Sequence, residues 1–459
     1  MGLNQSKKEE FIANPKKALW KLSIPMMLGM SVQSIYMLVD TLLISRIVGE
    51  TSMAALGFAF PFLFIIMGIT FGLGSGATAV IAQFIGADQK EKANNAAEHL
   101  LALGIIVGIL LNLLSFFIGD KLMLMQGANE ATLKYALDYF YIIVAGSIFM
   151  ILGVFFRSIL SGEGDTLFSM KVLGTGTLVN MVLDPPMIYF YHIKGAAYAT
   201  LISQIIVFLL FSYSILIKKS FYLNLNLKKI KYNKSILFKI IHLGFPASLS
   251  MIVMSIWMLI CNKLITFGIQ NETEAMAAVG AFQMAGRLEN IFFLPIISIA
   301  SSLVTIVGMF YGAEEFKLIK DIVNYALIRS FLIGVFFCGI FYFFIEHIIT
   351  PFNADKNTIK YLIQYFTIVP FAYPFITIGM NSSRVMQAIG HALPMLILTI
   401  LRVLLINALL SFIFIFIYNK DIIYIWYSII LSSVITATIA YLWMKNISRN
   451  LSNPKKYYE

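Results

Sequence analysis

Apolar residues fill twelve long stretches of the chain, and polar or charged residues collect between them. Each stretch is about 20 residues or more, the length at which an α-helix crosses the hydrocarbon core of a bilayer. Spans are expected near residues 18–45, 54–84, 96–118, 137–160, 166–191, 195–217, 240–268, 277–310, 321–345, 358–388, 394–417 and 422–444. With 59% hydrophobic and only 12% charged residues, a soluble globule is excluded, and the chain reads as an all-α polytopic membrane protein.

The stretches repeat. Ile24-Pro25 opens the span holding Ser34-Ile35-Tyr36-Met37-Leu38, and Phe245-Pro246 opens the span holding Ser255-Ile256-Trp257-Met258-Leu259 at the same offset. Further along, Ala54-Ala55-Leu56-Gly57 matches Ala277-Ala278-Val279-Gly280, and Gln83-Phe84-Ile85-Gly86-Ala87 resembles Met309-Phe310-Tyr311-Gly312-Ala313. Six spans per half is even, so both halves enter the membrane with the same orientation. The expectation is twelve transmembrane helices in two six-helix bundles related by pseudo-two-fold symmetry about the membrane normal. The N-lobe is placed at 1–217, a basic cytoplasmic linker at 218–239 and the C-lobe at 240–459. A cleft between two such bundles opens to either side by rocking, the geometry of alternating access.

The net charge of +11 changes the picture only through its distribution. Lys7, Lys8, Lys16, Lys17 and Lys21 precede the first span, and Lys218, Lys219, Lys228, Lys229, Lys231, Lys234 and Lys239 crowd the central loop. Lys445, Arg449, Lys455 and Lys456 close the chain. One orientation puts all three groups on the cytoplasmic side of a cell (inner or plasma) membrane. The basic charge is thereby assigned to the bilayer surface, and no nucleic-acid partner is expected. The polar N-terminus has no short apolar core followed by a cleavage site, so no cleaved signal peptide is expected. Cys261 and Cys338 sit inside spans without metal or disulfide spacing, and the five histidines are scattered, so neither a zinc site nor a hydrolytic centre is expected.

Two carboxylates stand out because they lie within apolar spans, where an ionisable group is costly and marks function by default. On the first span Gln33, Tyr36 and Asp40 follow spacings of three and four, which puts them on one helical face. On the fifth, Thr177, Asn180 and Asp184 repeat the spacing, and Pro185-Pro186 follow. Proline has no backbone donor, so the carbonyls of Met181 and Val182 are left for water, a proton network or a cation. At 1.5 Å per residue the acids lie roughly 20–28 Å along their helices. Two carboxylates brought together repel, which favours proton uptake by one of them, and a sodium ion could replace that proton on the same hard oxygen ligands. Thr200 is a candidate fourth oxygen from the sixth span. Asp40 aligns with Cys261 and Asp184 with Leu410, so the first half alone carries the acids. In the second half Arg287, Glu289 and Arg402 interrupt apolar spans, as a cavity lining, a gate or a structural ion pair. The 23 methionines and 39 phenylalanines suit an adaptable apolar cavity that attracts organic cations.

Several segments together resemble the multidrug and toxic compound extrusion (MATE) family over nearly the whole chain. They are Leu38-Val39-Asp40, Gly72-Leu73-Gly74-Ser75-Gly76 leading to Gln83-Phe84-Ile85-Gly86-Ala87, Gly162-Glu163-Gly164-Asp165, Asn180-Met181-Val182-Leu183-Asp184-Pro185 and Gly195-Ala196-Ala197. The resemblance implies a two-lobe exporter exchanging H⁺ or Na⁺ for cationic amphipathic compounds. It places Asp40, Asn180 and Asp184, with Thr200, at the N-lobe cation site; the same Asp40, Asn180 and Asp184 would hold Na⁺ if sodium is the coupling ion. Gln33, Tyr36, Thr177, Arg287 and Glu289 are expected at the cavity. No cofactor is expected beyond Na⁺ as a possible coupling ion, and the expected state is a monomer. The alternative is a flippase for lipids or lipid-linked oligosaccharides, which calls for a more cationic cavity than these spans offer. An intramembrane enzyme would need converging nucleophile, base or metal ligands, which the spans lack. A channel or passive scaffold would leave acids confined to one of two similar halves unexplained.

Overall fold

In a computed structural model the protein is described over residues 7–47, 50–125, 130–227, 230–350 and 355–451, with the side chains of 37–61, 122, 125, 130–132 and 451 outside the described set. Long helices dominate: α1 (Lys8–Ala13), α2 (Pro15–Ile47), α3 (Glu50–Gly86), α4 (Lys90–Met125), α5 (Glu130–Glu163), α6 (Thr166–Ser212), α7 (Lys234–Gly268), α8 (Glu272–Gly312) and α9 (Phe316–Ile349). They continue as α10 (Lys356–Ile368), α11 (Tyr373–Ala388), α12 (Leu393–Ile400), α13 (Leu409–Phe412) and α14 (Ile423–Leu451). Ten described helical segments are long and apolar enough to cross a membrane. One of them, Thr166–Ile217, holds two spans, and α2 is the first span, which restores the expected twelve.

The double span turns at His192, whose backbone is non-helical (φ 53°, ψ −132°). The reversal folds Gly195 back onto the preceding helix so closely that a Cβ there would sit 2.7 Å from the Ile188 nitrogen. Only glycine fits, and Ala196 and Ala197 beside it are buried. The Gly195-Ala196-Ala197 motif is thus a packing requirement of the turn.

Two compact units emerge from the contacts. Unit 1 comprises the described residues up to Ala13 and Lys21–Ser248; unit 2 comprises Asn14–Trp20 and the described residues from Leu249 on. In unit 1, α5 packs against α3, α4 and α6. The first fifteen residues of α7 belong here because α3 admits them at backbone distance. A Cβ on Gly76 would lie 2.6 Å from the Gly244 Cα, and one on Gly72 would lie 2.6 Å from the Ser248 Cα. Gly72-Leu73-Gly74-Ser75-Gly76 is therefore a small-residue seam meeting a second seam, Gly244 and Ser248, at the same four-residue spacing. In unit 2, α11 is central, lying against α8, α9 and α14. Its core is aromatic, with Phe341 stacked on Phe366 (4.4 Å between centroids) and Tyr365 edge-on to Trp426 (4.9 Å).

Candidate functional site

Asn180 and Asp184 lie one turn apart on α6, and the spacing that puts them on one face also lets them bond. Asn180 Nδ2 donates to Asp184 Oδ1 (3.1 Å). Tyr36, on α2, donates its hydroxyl to the other oxygen, Asp184 Oδ2. Asp184 is 0% exposed and Asn180 5%. The carboxylate is thus stitched to its own helix through one oxygen and to α2 through the other. Pro185 and Pro186 follow inside the same helix, leaving the Met181 and Val182 carbonyls without helical donors. A phenol hydroxyl and an amide N–H both donate to one buried carboxylate, whose oxygens are the groups fit for a proton or a hard cation.

The other expected residues divide. The Asp40 side chain lies outside the described residues, although the α2 backbone carrying it is helical. Gln33 is exposed and Thr200 half-buried. The Thr177 hydroxyl donates to the Leu173 carbonyl (3.0 Å), so it satisfies its own helix instead of extending the stripe. Arg287 is exposed on α8, and Arg402 Nη2 reaches Met254 Sδ (3.5 Å). Among the described residues no group of three or more His, Cys, Asp or Glu is placed to hold a metal ion.

Glu289 finds its partners elsewhere than in Arg287. Tyr365 (3.0 Å) and Tyr373 (2.8 Å) both donate hydroxyls to Glu289 Oε1. These tyrosines flank the 3₁₀ turn Val369–Ala372, so one carboxylate ties α10 and α11 together across it. An ion pair along α8 is not what holds Glu289, since residues two apart on a helix do not face each other. Sequence reasoning missed both tyrosines; the nearest signal is their position on either side of Pro370, in the turn between α10 and α11. Both are nearly fully buried. Glu289→Ala is expected to orphan two buried hydroxyls and to destabilise unit 2 by roughly 2–5 kcal/mol. The check is thermal unfolding in detergent, with Glu289→Gln losing distinctly less.

The two units differ where the repeat aligns them. At the position matching Asp40, Cys261 is 0% exposed within the apolar core of Trp257, Ala281 and Trp426. Unit 2 thus has a buried apolar core at the position the repeat aligns with Asp40.

The MatE family model matches residues 25–186 and 246–413, one block in each half. The chain belongs to the MATE family. Among MATE relatives, it is 26% identical over 391 residues to "Probable multidrug resistance protein YoeA" of Bacillus subtilis, covering 82% of this chain and 83% of that one. It is 25% identical over 402 residues to an FAD transporter of Shewanella oneidensis, covering 85% and 86%. A MATE protein crystallised in the bent conformation superposes with a TM-score of 0.92 at 30% identity, covering 98% of this chain and 99% of that one. The chain is therefore a membrane-embedded transporter of the two-lobed, twelve-helix MATE architecture, acting on small molecules.

Proposed function

We propose that this MATE chain is a cation-coupled antiporter, exchanging H⁺ or Na⁺ for cationic amphipathic drugs and toxic organic compounds by alternating access. The observation that carries the reading is the Tyr36–Asp184–Asn180 cluster, a buried carboxylate bridging α2 and α6. As drawn, Oδ2 accepts the Tyr36 proton. A coupling proton on that oxygen turns an acceptor into a donor, so Tyr36 must reverse its hydroxyl or part from it, and the α2–α6 contact changes with occupancy. A sodium ion on the same oxygens competes for the same lone pairs. Such a differential contact is what lets ion binding shift a conformational equilibrium. Asp40, four residues beyond Tyr36 on the same helix, is assigned to the site as the second acid, with Thr200 as a further oxygen. One charge crossing the membrane potential supplies about 2.3 kcal/mol per 100 mV, to which the concentration gradient adds.

The basic segments support a cytoplasmic location for both termini and for the 218–239 segment. The drug-exporting reading is supported by the multidrug-resistance relative, and the FAD transporter supplies a second reading, an anionic dinucleotide. Proteoliposomes decide between them. Efflux of a fluorescent organic cation, and separately of FAD, is measured under imposed pH and Na⁺ gradients. Cation flux driven by one gradient is expected and names the ion. FAD flux alone would replace the substrate, and flux indifferent to both gradients would remove the coupling.

A further inference from the structure

The central basic segment does not behave as a loose tether. From Phe221 to Asn226 its residues alternate: Phe221, Leu223 and Leu225 are buried, while Tyr222 and Asn224 are half-buried and Asn226 is exposed. This is the period-two pattern of an extended strand, though its backbone partners are side chains. Glu163 receives two of its amides, Tyr222 N–H on Oε2 (3.2 Å) and Leu223 N–H on Oε1 (3.1 Å). Asn94 Oδ1 accepts from Asn224 N–H (2.9 Å), and Glu98 Oε1 accepts from Asn226 N–H (2.8 Å).

The match is one of repeat lengths. Two residues of extended chain advance about 6.8 Å, close to the roughly 6 Å that separates residues four apart on a helix. Residues 224 and 226 therefore register on Asn94 and Glu98. The adjacent pair on α4 works the same way, Asn95 Nδ2 donating to the Lys231 carbonyl (2.7 Å) and His99 Nε2 accepting from Asn233 N–H (3.0 Å). His99 is oriented for this by its Nδ1, which lies 2.8 Å from the Asn95 carbonyl. Phe221 packs on Phe168 (5.0 Å), and Lys90 lies over the Tyr222 ring (4.5 Å). Burial, aided by the charges of Asp88 and Glu163, raises the Tyr222 phenol above its ordinary range.

The Gly162-Glu163-Gly164-Asp165 motif anchors a second segment at the same place. Gly164 adopts φ 83° beneath the Phe11 ring, and Asp165 pairs with Lys7 (2.9 Å) while capping α6 through Phe168 N–H (3.2 Å). Unit 2 holds a foreign stretch at the matching position. His99 stands eleven residues after the left-handed Asp88 (φ 57°), and Tyr325 stands eleven after the left-handed Glu314 (φ 59°). Tyr325 accepts the indole N–H of Trp20 (3.0 Å), a residue that belongs to unit 2.

We propose that Asn94, Asn95, Glu98, His99 and Glu163 form a docking track for the chain's own connection between its halves, and that the connection stays seated there throughout the transport cycle. Residues 222–226 and 231–233 are then a fixed strap of unit 1. The chain then passes from unit 1 to unit 2 inside α7, at Ser248–Leu249, just beyond Pro246. This goes beyond the coupling mechanism and holds for any coupling ion or substrate.

Hydrogen exchange on the full-length protein in detergent, with and without ethidium as the cationic substrate, tests it without reference to transport. The amides of Tyr222, Leu223, Asn224 and Asn226 are expected to exchange at least about tenfold more slowly than the free chain under both conditions. Exchange at the free-chain rate in either condition overturns the proposal. In a background with Cys261→Ala and Cys338→Ala, a reversible cross-link between Asn94→Cys and Asn224→Cys is expected to leave liposome transport within about twofold of the reduced protein. Transport lost on cross-linking and regained on reduction shows that the strap must leave, and overturns it equally. Glu163→Ala together with Glu98→Ala should cost the strap about tenfold or more of its protection; retained protection would show that these side chains do not hold it. If that variant fails to fold, the wild-type exchange and the cross-link still decide.

Discussion

Asp184→Asn is expected to abolish gradient-driven transport while leaving the fold intact. The amide has the shape of the carboxylate it replaces and retains one oxygen to accept from Tyr36 or Asn180, so the cluster loses at most one of its two hydrogen bonds. What it cannot do is change its charge by taking up and releasing a cation, and the coupling proposed here needs that change. Flux in proteoliposomes should fall at least tenfold, to about the level of empty vesicles, with thermal unfolding shifted by only a few degrees. Asp184→Ala separates the two roles. It removes the acceptor as well as the charge, leaving the Asn180 amide and the Tyr36 hydroxyl short of a buried partner, at a cost of about 1–3 kcal/mol each. Asn and Ala variants equally active under a gradient would place the coupling group elsewhere, with Asp40 first in line.

The second large effect is on folding. Gly76→Leu should prevent recovery of folded protein, because a side chain there is driven into backbone: its Cβ alone would stand 2.6 Å from the Gly244 Cα and 2.8 Å from the Ile240 carbonyl oxygen. Backbone does not swing aside as a long side chain would, so α7 must lift off α3 along the whole seam. Overpacking of this kind costs about 3 kcal/mol or more. The matched control is Gly339→Ala on α9, where an added Cβ meets nothing within 4 Å. That change should be neutral or slightly stabilising, since alanine is the better helix former. Size-exclusion profiles of the two purified variants provide the comparison. A monodisperse, heat-stable Gly76→Leu would show that the seam is not closed.

The sequence carries some of this plainly and some of it not at all. Hydropathy marks the spans, because a helix in lipid has no other way to satisfy its backbone. The i, i+4 spacing of Asn180 and Asp184 announces a bond that the structure contains, since both groups ride on one helix and no tertiary information is needed. Tyr36 was visible as a member of a polar stripe that could share a site with the stripe of Thr177, Asn180 and Asp184, but its bond to Asp184 was not. Thr177 fits the same stripe and yet turns to the Leu173 carbonyl, because a threonine in a helix always has that carbonyl within reach. The grip of Tyr365 and Tyr373 on Glu289 depends on where α10 and α11 pack on α8, which no local spacing encodes. The strap was legible in Phe221-Tyr222-Leu223-Asn224-Leu225-Asn226, a clear alternation overshadowed by the lysines around it. Its acceptors, 59 to 134 residues earlier in the chain, were not.

The strap also bears on the order of manufacture. A chain leaves the ribosome N-terminus first, and domains tend to close as they emerge. Asn94, Asn95, Glu98, His99 and Glu163, which hydrogen-bond the strap, and Lys90, which lies over Tyr222, all precede it in the chain, so each exists before the segment it receives. The seam on α3 likewise precedes Gly244 and Ser248, which complete it. The first half can therefore seal its own end before α8 has been translated. In assembly, the join between the two halves is the closing piece of the first and not the opening piece of the second.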